Sequence, residues 1–597
     1  MGDVSHGFTL KEEPVENFRP LKIRIIGAGY SGIYLGVRIP QKLRNIDFQI
    51  LEKNEGVGGT WWENRYPGCA CDVPAHSYQY PFEPNPLWSA FYAPALEIRH
   101  YLEGVAQKYG VYRFIKLRHQ VRNYHWDDTL KRWKFSVENL ATGKVTEDDA
   151  DILIVATGPL NTIKWPEIHG LETFEGARMH SAAWDEAYDF KNKRIGIIGG
   201  GSSAIQIVPQ LQKIQGASLS CFVRSRTWIS NPFGEMAMIR LGLDPKELQF
   251  SQKFRDSLAS DSAAYLEFRK TIETDGSMFY PATLKNSEMQ GTVRRMFAQT
   301  MQTRLSKKPE IAAKLMPSFA PGCRRLTPGP GYLEALVEDN VDFITDEIEA
   351  IDKHGLRLAS GQEIDLDVLV CATGFSLGTS RSALAVGRDG ASLTTKSPPY
   401  LRTYLGITNQ DFPNYFTMLG PNSGVGSGSL TAISMDSFPP VFDKIPILRF
   451  DFLEAQGDYI VKCIRKLQKE DYVTMSPKKS SVQDFSMYVG EYFTRTVFMD
   501  ECRSWYKVGQ GDTARVVGLW PGSSQHCIEV LRAPRWEDFD FESLEGNRLR
   551  WLGNGFSISN LPGGSDPSFY IHPQFVDTPP VERPEDDYKY QIRSFSH

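Results

Sequence analysis

Apolar residues fill positions 21, 23, 25 and 26 in LKIRIIGAGYSGIYLGVRI, stop at a glycine-rich turn, and resume at helical spacing. Such a run predicts a strand buried on both faces, a tight turn, and a helix packed back on the strand. The pattern returns in KRIGIIGGGSSAIQIVPQL at residues 193–211. Two more apolar strands, DILIVATGPL and DVLVCATGF, each run into an Ala-Thr-Gly turn. Alternation of this kind predicts an α/β fold: one strand–helix unit, a second, and a return to the first. Residues 230–322 differ, with apolar positions at helical spacing in LDPKELQFSQKFRDSLASDSAAYLEFRKTIE. Asp244 as N-cap, Pro245 at the first helical position and Glu247 closing a capping box predict a helix starting there. A helical insertion into the second unit is expected.

The turns themselves carry chemistry. In Gly27-Ala28-Gly29-Tyr30-Ser31-Gly32 the first glycine permits the turn and the second lets backbone amides approach a pyrophosphate. The third lets the helix, whose N-terminus faces the anion, pack close to the strand. The second turn is Gly199-Gly200-Gly201-Ser202-Ser203-Ala204, with alanine in the last position. Twenty residues on from Gly32 stands Glu52, and twenty on from Ala204 stands Arg224. A carboxylate there suits a free ribose 2′-hydroxyl, whereas an arginine, helped by Arg226 or Arg324, suits a 2′-phosphate. The reading is FAD or NAD in the first site and NADPH in the second, on two dinucleotide-binding (Rossmann-like) domains. Taken singly, Glu52 and Arg224 would read equally well as ordinary strand-end charges; the matched offsets favour the nucleotide sites.

Composition narrows the class. The chain has 597 residues, net charge −5, and no long Lys/Arg run, so nothing in it marks a nucleic-acid partner. Eight cysteines without a C-x-x-C pair predict neither a disulfide framework nor a zinc ribbon, and no metal site is expected. No apolar run is long enough for a bilayer. The N-terminal residues lack an apolar signal core, and His6 stands where a myristoylation motif needs Ser or Thr. A cytoplasmic protein without membrane attachment is expected.

After Glu52 comes GVGGTWWENRYPGCACDVPAHSYQYPF, and FEGARMHSAAWDEAYDF occupies residues 174–190 between the two glycine turns. At these residues the chain resembles the Baeyer–Villiger monooxygenases, class B flavoprotein monooxygenases. The family has two dinucleotide turns, a GG-T-W segment leading to R-Y-P-G and C-D, and the fingerprint F-x-G-x-x-x-H-x-x-x-W followed by Pro or Asp. Phe174, Gly176, His180, Trp184 and Asp185 match that fingerprint, and the resemblance spans roughly residues 20–560. It implies FAD and NADPH as cofactors and O2 and a ketone as substrates. The product would be an ester or lactone, by oxygen insertion beside the carbonyl.

The resemblance also implies roles. Thr60, Trp61, Trp62, Glu63, Asp72 and Tyr78 join Gly27, Gly29, Gly32 and Glu52 as FAD contacts. Ala70, Cys71, Asp72, Gln206, Ser225 and Arg324 join Gly199, Gly201, Ser202, Ser203, Ala204 and Arg224 for NADPH. Arg325, in PGCRRLTPGPGYLEAL, would be the catalytic cation, with Asp72 orienting it. A guanidinium suits that task because it stays charged at every working pH. His180 would couple NADPH to domain movement rather than to bond making. Ala70 and Leu326 depart from the family, where Arg and Pro are common, and this bears on substrate range.

The expected division is an N-terminal extension (1–20), the FAD domain (21–158, completed by 385–575) and a linker with the fingerprint (159–190). The NADPH domain (191–229 and 323–384) encloses the insertion (230–322), and a polar tail follows (576–597). The helical insertion and the GPNSGVGSGSLT loop are expected to shape the substrate pocket, and CRSWYK and WPGSSQHCIEVLR resemble segments of fungal members acting on bulky cyclic ketones of secondary metabolism. Three rivals stand beside this reading: a flavin-dependent N- or S-oxygenating monooxygenase, a pyridine nucleotide–disulfide reductase, and a flavin-binding scaffold without turnover. The reductase needs a redox Cys where Trp61 stands, and Cys69 and Cys71 read instead as packing residues.

Overall fold

The computed structural model describes residues 9–231, 234–376, 385–393, 402–424, 452–562 and 566–571. Most of GPNSGVGSGSLT and the polar tail lie outside them.

The apolar runs form parallel strands because both of their faces are covered. Strands β1 (Leu21–Ile26), β2 (Ile46–Leu51), β3 (Ile115–Lys116) and β4 (Ile152–Val155) belong to a first sheet. The chain then builds a second sheet from β5 (Ala177–His180), β6 (Arg194–Ile198), β7 (Ser218–Phe222), β8 (Val341–Ile344) and β9 (Val368–Cys371). It returns to the first with β10 (Tyr415–Thr417). The orders are β10-β4-β1-β2-β3 and β8-β7-β6-β9-β5, and every pairing within them is parallel. Helix α1 (Tyr30–Lys42) follows β1, and α2 (Ser202–Leu211) follows β6. Mixed α/β architecture with two Rossmann-like parallel sheets is thus the fold.

Two glycines explain the turns before these helices. A Cβ on Gly27 (φ +106°) would sit 2.7 Å from the Ala156 carbonyl oxygen, and one on Gly199 (φ +135°) 2.4 Å from that of Ala372. Only glycine fits where the Ala-Thr-Gly turns press on the nucleotide turns.

One expectation fails. Residues 244–247 form a turn, with Lys246 N donating to Asp244 Oδ1 at 2.9 Å, and no helix starts there. The helix begins at Gln252, capped by Ser251, whose Oγ accepts from Phe254 N at 3.2 Å. Tertiary pairing overrides the local signal. Phe91 N donates to Leu248 O at 2.7 Å and Phe250 N to Ser89 O at 2.8 Å, holding residues 248–250 extended against the first domain. Further on, helices span Ser262–Met278, Glu288–Arg304 and Pro309–Leu315.

Candidate active site

Helices α1 and α2 begin at Gly29 and Gly201, and neither N-terminus has a side-chain cap. Their first-turn amides are therefore free for an anion. A Cβ on Gly201 would meet nothing within 4 Å, and one on Gly29 would meet only Gly59, at 3.5 Å. Backbone and cleft are open at the two places where a pyrophosphate must approach. This arrangement fits a dinucleotide at each turn.

The first cleft, about 200 Å³, is lined by Gly27, Gly29, Glu52, Thr60, Trp61, Glu63 and Tyr78, together with His119–Val121, Asn161 and Leu419. Glu52 is buried and accepts from Ala28 N at 2.7 Å and Asn54 N at 2.8 Å, one bond to each oxygen. Burial raises its pKa, and the two backbone donors oppose that shift. Each oxygen keeps a lone pair for a ribose hydroxyl. Trp61 Nε1 donates to the Tyr78 hydroxyl at 3.3 Å, and Tyr30 donates to Tyr78 O at 2.7 Å, fixing the aromatic wall. Gly32 is not in the lining: a Cβ there would lie 2.0 Å from Gly27 O, so its smallness serves helix packing. Trp62 also points elsewhere, with Arg99 stacked 3.9 Å over its ring.

A second cleft of about 500 Å³ lies against the first, and Trp61 lines both. Ala70, Cys71, Asp72, Gln206 and Pro328 are among its walls. Gln206 reaches from α2 to the first domain, accepting from the Tyr66 hydroxyl at 2.8 Å and donating to Ala70 O at 3.0 Å. Ser202 shares a hydrogen bond with Thr327 at 2.8 Å, and Ala204 is buried in the helix packing. Arg224 is exposed and has no partner among the described residues; half-buried Ser225 follows it. Arg324 Nη1 donates to Arg226 O at 3.1 Å, which brings the second candidate phosphate arginine to the end of β7. Cys69 and Cys71 are buried and free, and burial pushes the Cys69 thiol up to about 11. Protonated, buried thiols of this kind are inert.

Asp72 and Arg325 meet across 253 residues of sequence. Arg325 Nε donates to Asp72 Oδ2 at 2.8 Å and Nη2 to Oδ1 at 2.5 Å, a two-pronged ion pair with side chains 21% and 17% exposed. Burial alone would lower the arginine's pKa, but the carboxylate more than offsets it and the net direction is upward. Tyr506, buried, adds a further interaction with the guanidinium. The sequence had singled out CRSWYK without assigning this tyrosine to the arginine.

The fingerprint lies along and after β5. Phe174 packs with Leu171, Ile198 and Phe222 in the core of the second sheet. A Cβ on Gly176 would fall 2.6 Å from both Asp367 O and the Phe174 ring. Trp184 stacks on Phe190 with centroids 5.4 Å apart. His180 is fully buried at the end of β5, accepts from Ala182 N at 3.1 Å, and has Trp165 5.6 Å from its ring. Burial lowers its pKa, with the carbonyls of Gly374 and Lys164 opposing, so it is neutral. Thr373 donates to Lys164 O at 2.6 Å, tying the linker to the second Ala-Thr-Gly turn beside this histidine.

Two parallel nucleotide sheets whose clefts adjoin beside an Asp–Arg pair define a two-dinucleotide oxidoreductase. Residues 25–95 match the NAD(P)-binding Rossmann-like domain family, and 87–251 match the L-lysine 6-monooxygenase/L-ornithine 5-monooxygenase family. A FAD-binding monooxygenase of Aspergillus terreus is 34% identical, covering 93% of this chain and 95% of the relative. A Baeyer-Villiger monooxygenase of Pseudomonas aeruginosa is 31% identical, covering 84% and 88%. The structure of an oxidized steroid monooxygenase bound to NADP superposes with TM-score 0.71 at 25% identity, covering 88% of this chain and 99% of that one. The chain belongs to the Baeyer–Villiger monooxygenase family, FAD- and NADPH-dependent flavoenzymes. Among the described residues no group of His, Cys, Asp and Glu could hold a metal, and no helix is long and apolar enough to cross a membrane.

Proposed function

We propose that this chain inserts one oxygen atom of O2 beside the carbonyl of a bulky cyclic ketone, with Arg325 as the catalytic cation. The observation that carries the reading is the Asp72–Arg325 pair, whose carboxylate lines the cleft adjoining the first site. Glu52, Trp61 and Tyr78, which line the first cleft, would hold FAD with the α1 amides; Gln206, which lines the second cleft, would hold NADPH with the α2 amides, Arg224 and Arg324, which lie outside that lining. Bound FAD, reduced by NADPH, supplies the activated oxygen.

The protein's own part is electrostatic and positional. Negative charge develops on the ketone's carbonyl oxygen when its carbon is attacked. A guanidinium already fixed in place stabilises that charge without reorganising. Asp72 takes an N–H of Nε and one of Nη2, which sets the plane of the guanidinium. Buried His180 lies outside both clefts, so it has no place in proton transfer at this site; its position at the linker suits coupling of NADPH binding to domain movement.

A bulky cyclic substrate is supported by the likeness to a steroid monooxygenase. The match of residues 87–251 to lysine and ornithine monooxygenases favours a second reading, N-oxygenation. Both are tested by supplying NADPH and ¹⁸O2 with cyclohexanone, a steroid ketone, polycyclic ketones, an amine and a sulfide. Ester or lactone carrying one ¹⁸O from the ketones supports the first reading. Labelled product from the amine alone overturns it in favour of the second.

A further inference from the structure

Arg325 stands in an irregular stretch of chain. Between the helix Pro309–Leu315 and the two-residue strand Thr327–Pro328 the chain has no regular structure. Arg226, Arg294, Trp228 and Gln290 donate to the carbonyls of Met316, Ser318, Phe319 and Pro321, and the part next to Arg325 is held by the segment 500–507. Cys323, two residues before Arg325 and fully buried, is disulfide-bonded to Cys502 with Cα atoms 6.3 Å apart and 179 residues between them in sequence. Ala320 N donates to Asp500 Oδ2 at 2.9 Å, and Lys507 Nζ donates to Asp500 O at 2.5 Å. Tyr506 comes from the same segment, buried edge-on against Phe498 at 5.8 Å, and engages Arg325. The guanidinium is therefore bonded to Asp72 and interacts with Tyr506, and the disulfide ties the loop of Arg325 to the segment of Tyr506.

We propose that the Cys323–Cys502 bond is a positioning device for Arg325, so that opening it uncouples oxygenation from NADPH consumption while leaving flavin reduction intact. This rests on the reading of Arg325 as the catalytic cation. Reduction needs the two cofactors in contact, and none of their candidate holding groups except Arg324 lies in the tethered loop. Oxygenation needs the guanidinium held at one place, and small misplacements of a catalytic group cost on the order of 100-fold.

The bond is open to chemistry. Cys502 is half-buried, and Lys507 Nζ lies 3.7 Å from Cys323 Sγ. A dithiothreitol thiolate attacks Cys502 Sγ, and Cys323 leaves as a thiolate beside that ammonium. The second thiol of the reagent then displaces Cys502 and closes a cyclic disulfide. Two electrons pass from the dithiol to the protein, and two protons end on Cys323 and Cys502. The other six cysteines are buried and free, so no other disulfide changes.

The test uses the FAD-loaded enzyme before treatment, after dithiothreitol and anaerobic desalting, and after re-oxidation. Alkylation and mass spectrometry count the thiols, which should go from six to eight and back. For the best ketone of the panel above, ester per NADPH should fall at least tenfold in the reduced enzyme. Hydrogen peroxide should rise to match, the anaerobic rate of flavin reduction should stay within twofold, and re-oxidation should restore coupling. Cys502→Ser should behave like the reduced enzyme; should it fail to fold, the reversible treatment of the natural protein still decides. Equal coupling with six or eight thiols overturns the proposal. So does a fall in flavin reduction that parallels the fall in ester, which would mark a general structural role. If the oxidised enzyme makes no ester from any ketone, the reading of Arg325 fails first and the proposal with it.

Discussion

Replacing Asp72 with Asn keeps the side chain's size but removes its charge. In the native pair two N–H groups of Arg325 donate to two carboxylate oxygens, at 2.8 and 2.5 Å. Asparagine keeps one acceptor and turns an amide N–H toward the other donor. Hydrogen bonds to charged groups contribute about 1.5–3 kcal/mol each, and breaking a buried ion pair costs about 3–5 kcal/mol. With both side chains about one-fifth exposed, loss of one of two bonds costs roughly 2–3 kcal/mol in how firmly the guanidinium is held. If that loss appears in the oxygenation barrier, the step slows about 30- to 160-fold. Arg325 stays charged in the variant, because its unperturbed pKa is far above working pH, so the pH profile should not move. Stopped-flow measurement of flavin reduction, alongside ester and hydrogen peroxide per NADPH, separates the steps. Asp72→Asn should reduce its flavin within about threefold of the natural rate and release most electrons as hydrogen peroxide. Undiminished ester yield would refute the orienting role, and a shifted pH profile would show that Asp72 works by titration.

Arg224→Ala should raise the KM for NADPH about tenfold, ~1.4 kcal/mol, with little change for NADH, because only NADPH carries a 2′-phosphate; an unchanged NADPH-to-NADH preference would remove Arg224 from the phosphate site. His180→Ala should keep FAD bound, since His180 lies outside both clefts, and should slow NADPH-linked steps or loosen coupling; loss of FAD would show the linker to be part of the flavin site. His76 is buried with its Nδ1 3.0 Å from the Tyr265 hydroxyl, and burial lowers its pKa to about 3. A histidine depressed in the folded state stabilises above its unfolded pKa and loses that stability as pH falls from about 6.5 toward 3, roughly 2 kcal/mol by pH 5. His76→Gln should therefore lose less melting temperature than the natural protein between pH 7.5 and pH 5, and an equal loss would contradict this.

What was legible in the sequence was local. A buried strand, a glycine turn and a helix lie within one short stretch, so both strand–turn–helix units could be read directly. The helix start at Asp244 was misread because its capping signal is also local, whereas pairing of residues 248–250 with the first domain is not. The resemblance groups Trp62 with Trp61 as a FAD contact, but neighbours on a short helix point to different sides, and Arg99 stacks on Trp62. The Cys323–Cys502 bond and the approach of Tyr506 to Arg325 join residues far apart in the chain. No spacing rule reaches that far.

The central claim is that Arg325 serves oxygenation and not reduction. Arg325→Ala, loaded with FAD, should still be reduced by NADPH in a stopped-flow trace, while losing one fixed donor costs oxygenation ~3–4 kcal/mol. Product analysis on the same preparation should find almost no ester or lactone and consumed NADPH recovered as hydrogen peroxide. Ketone conversion by Arg325→Ala at near the natural rate would contradict the account.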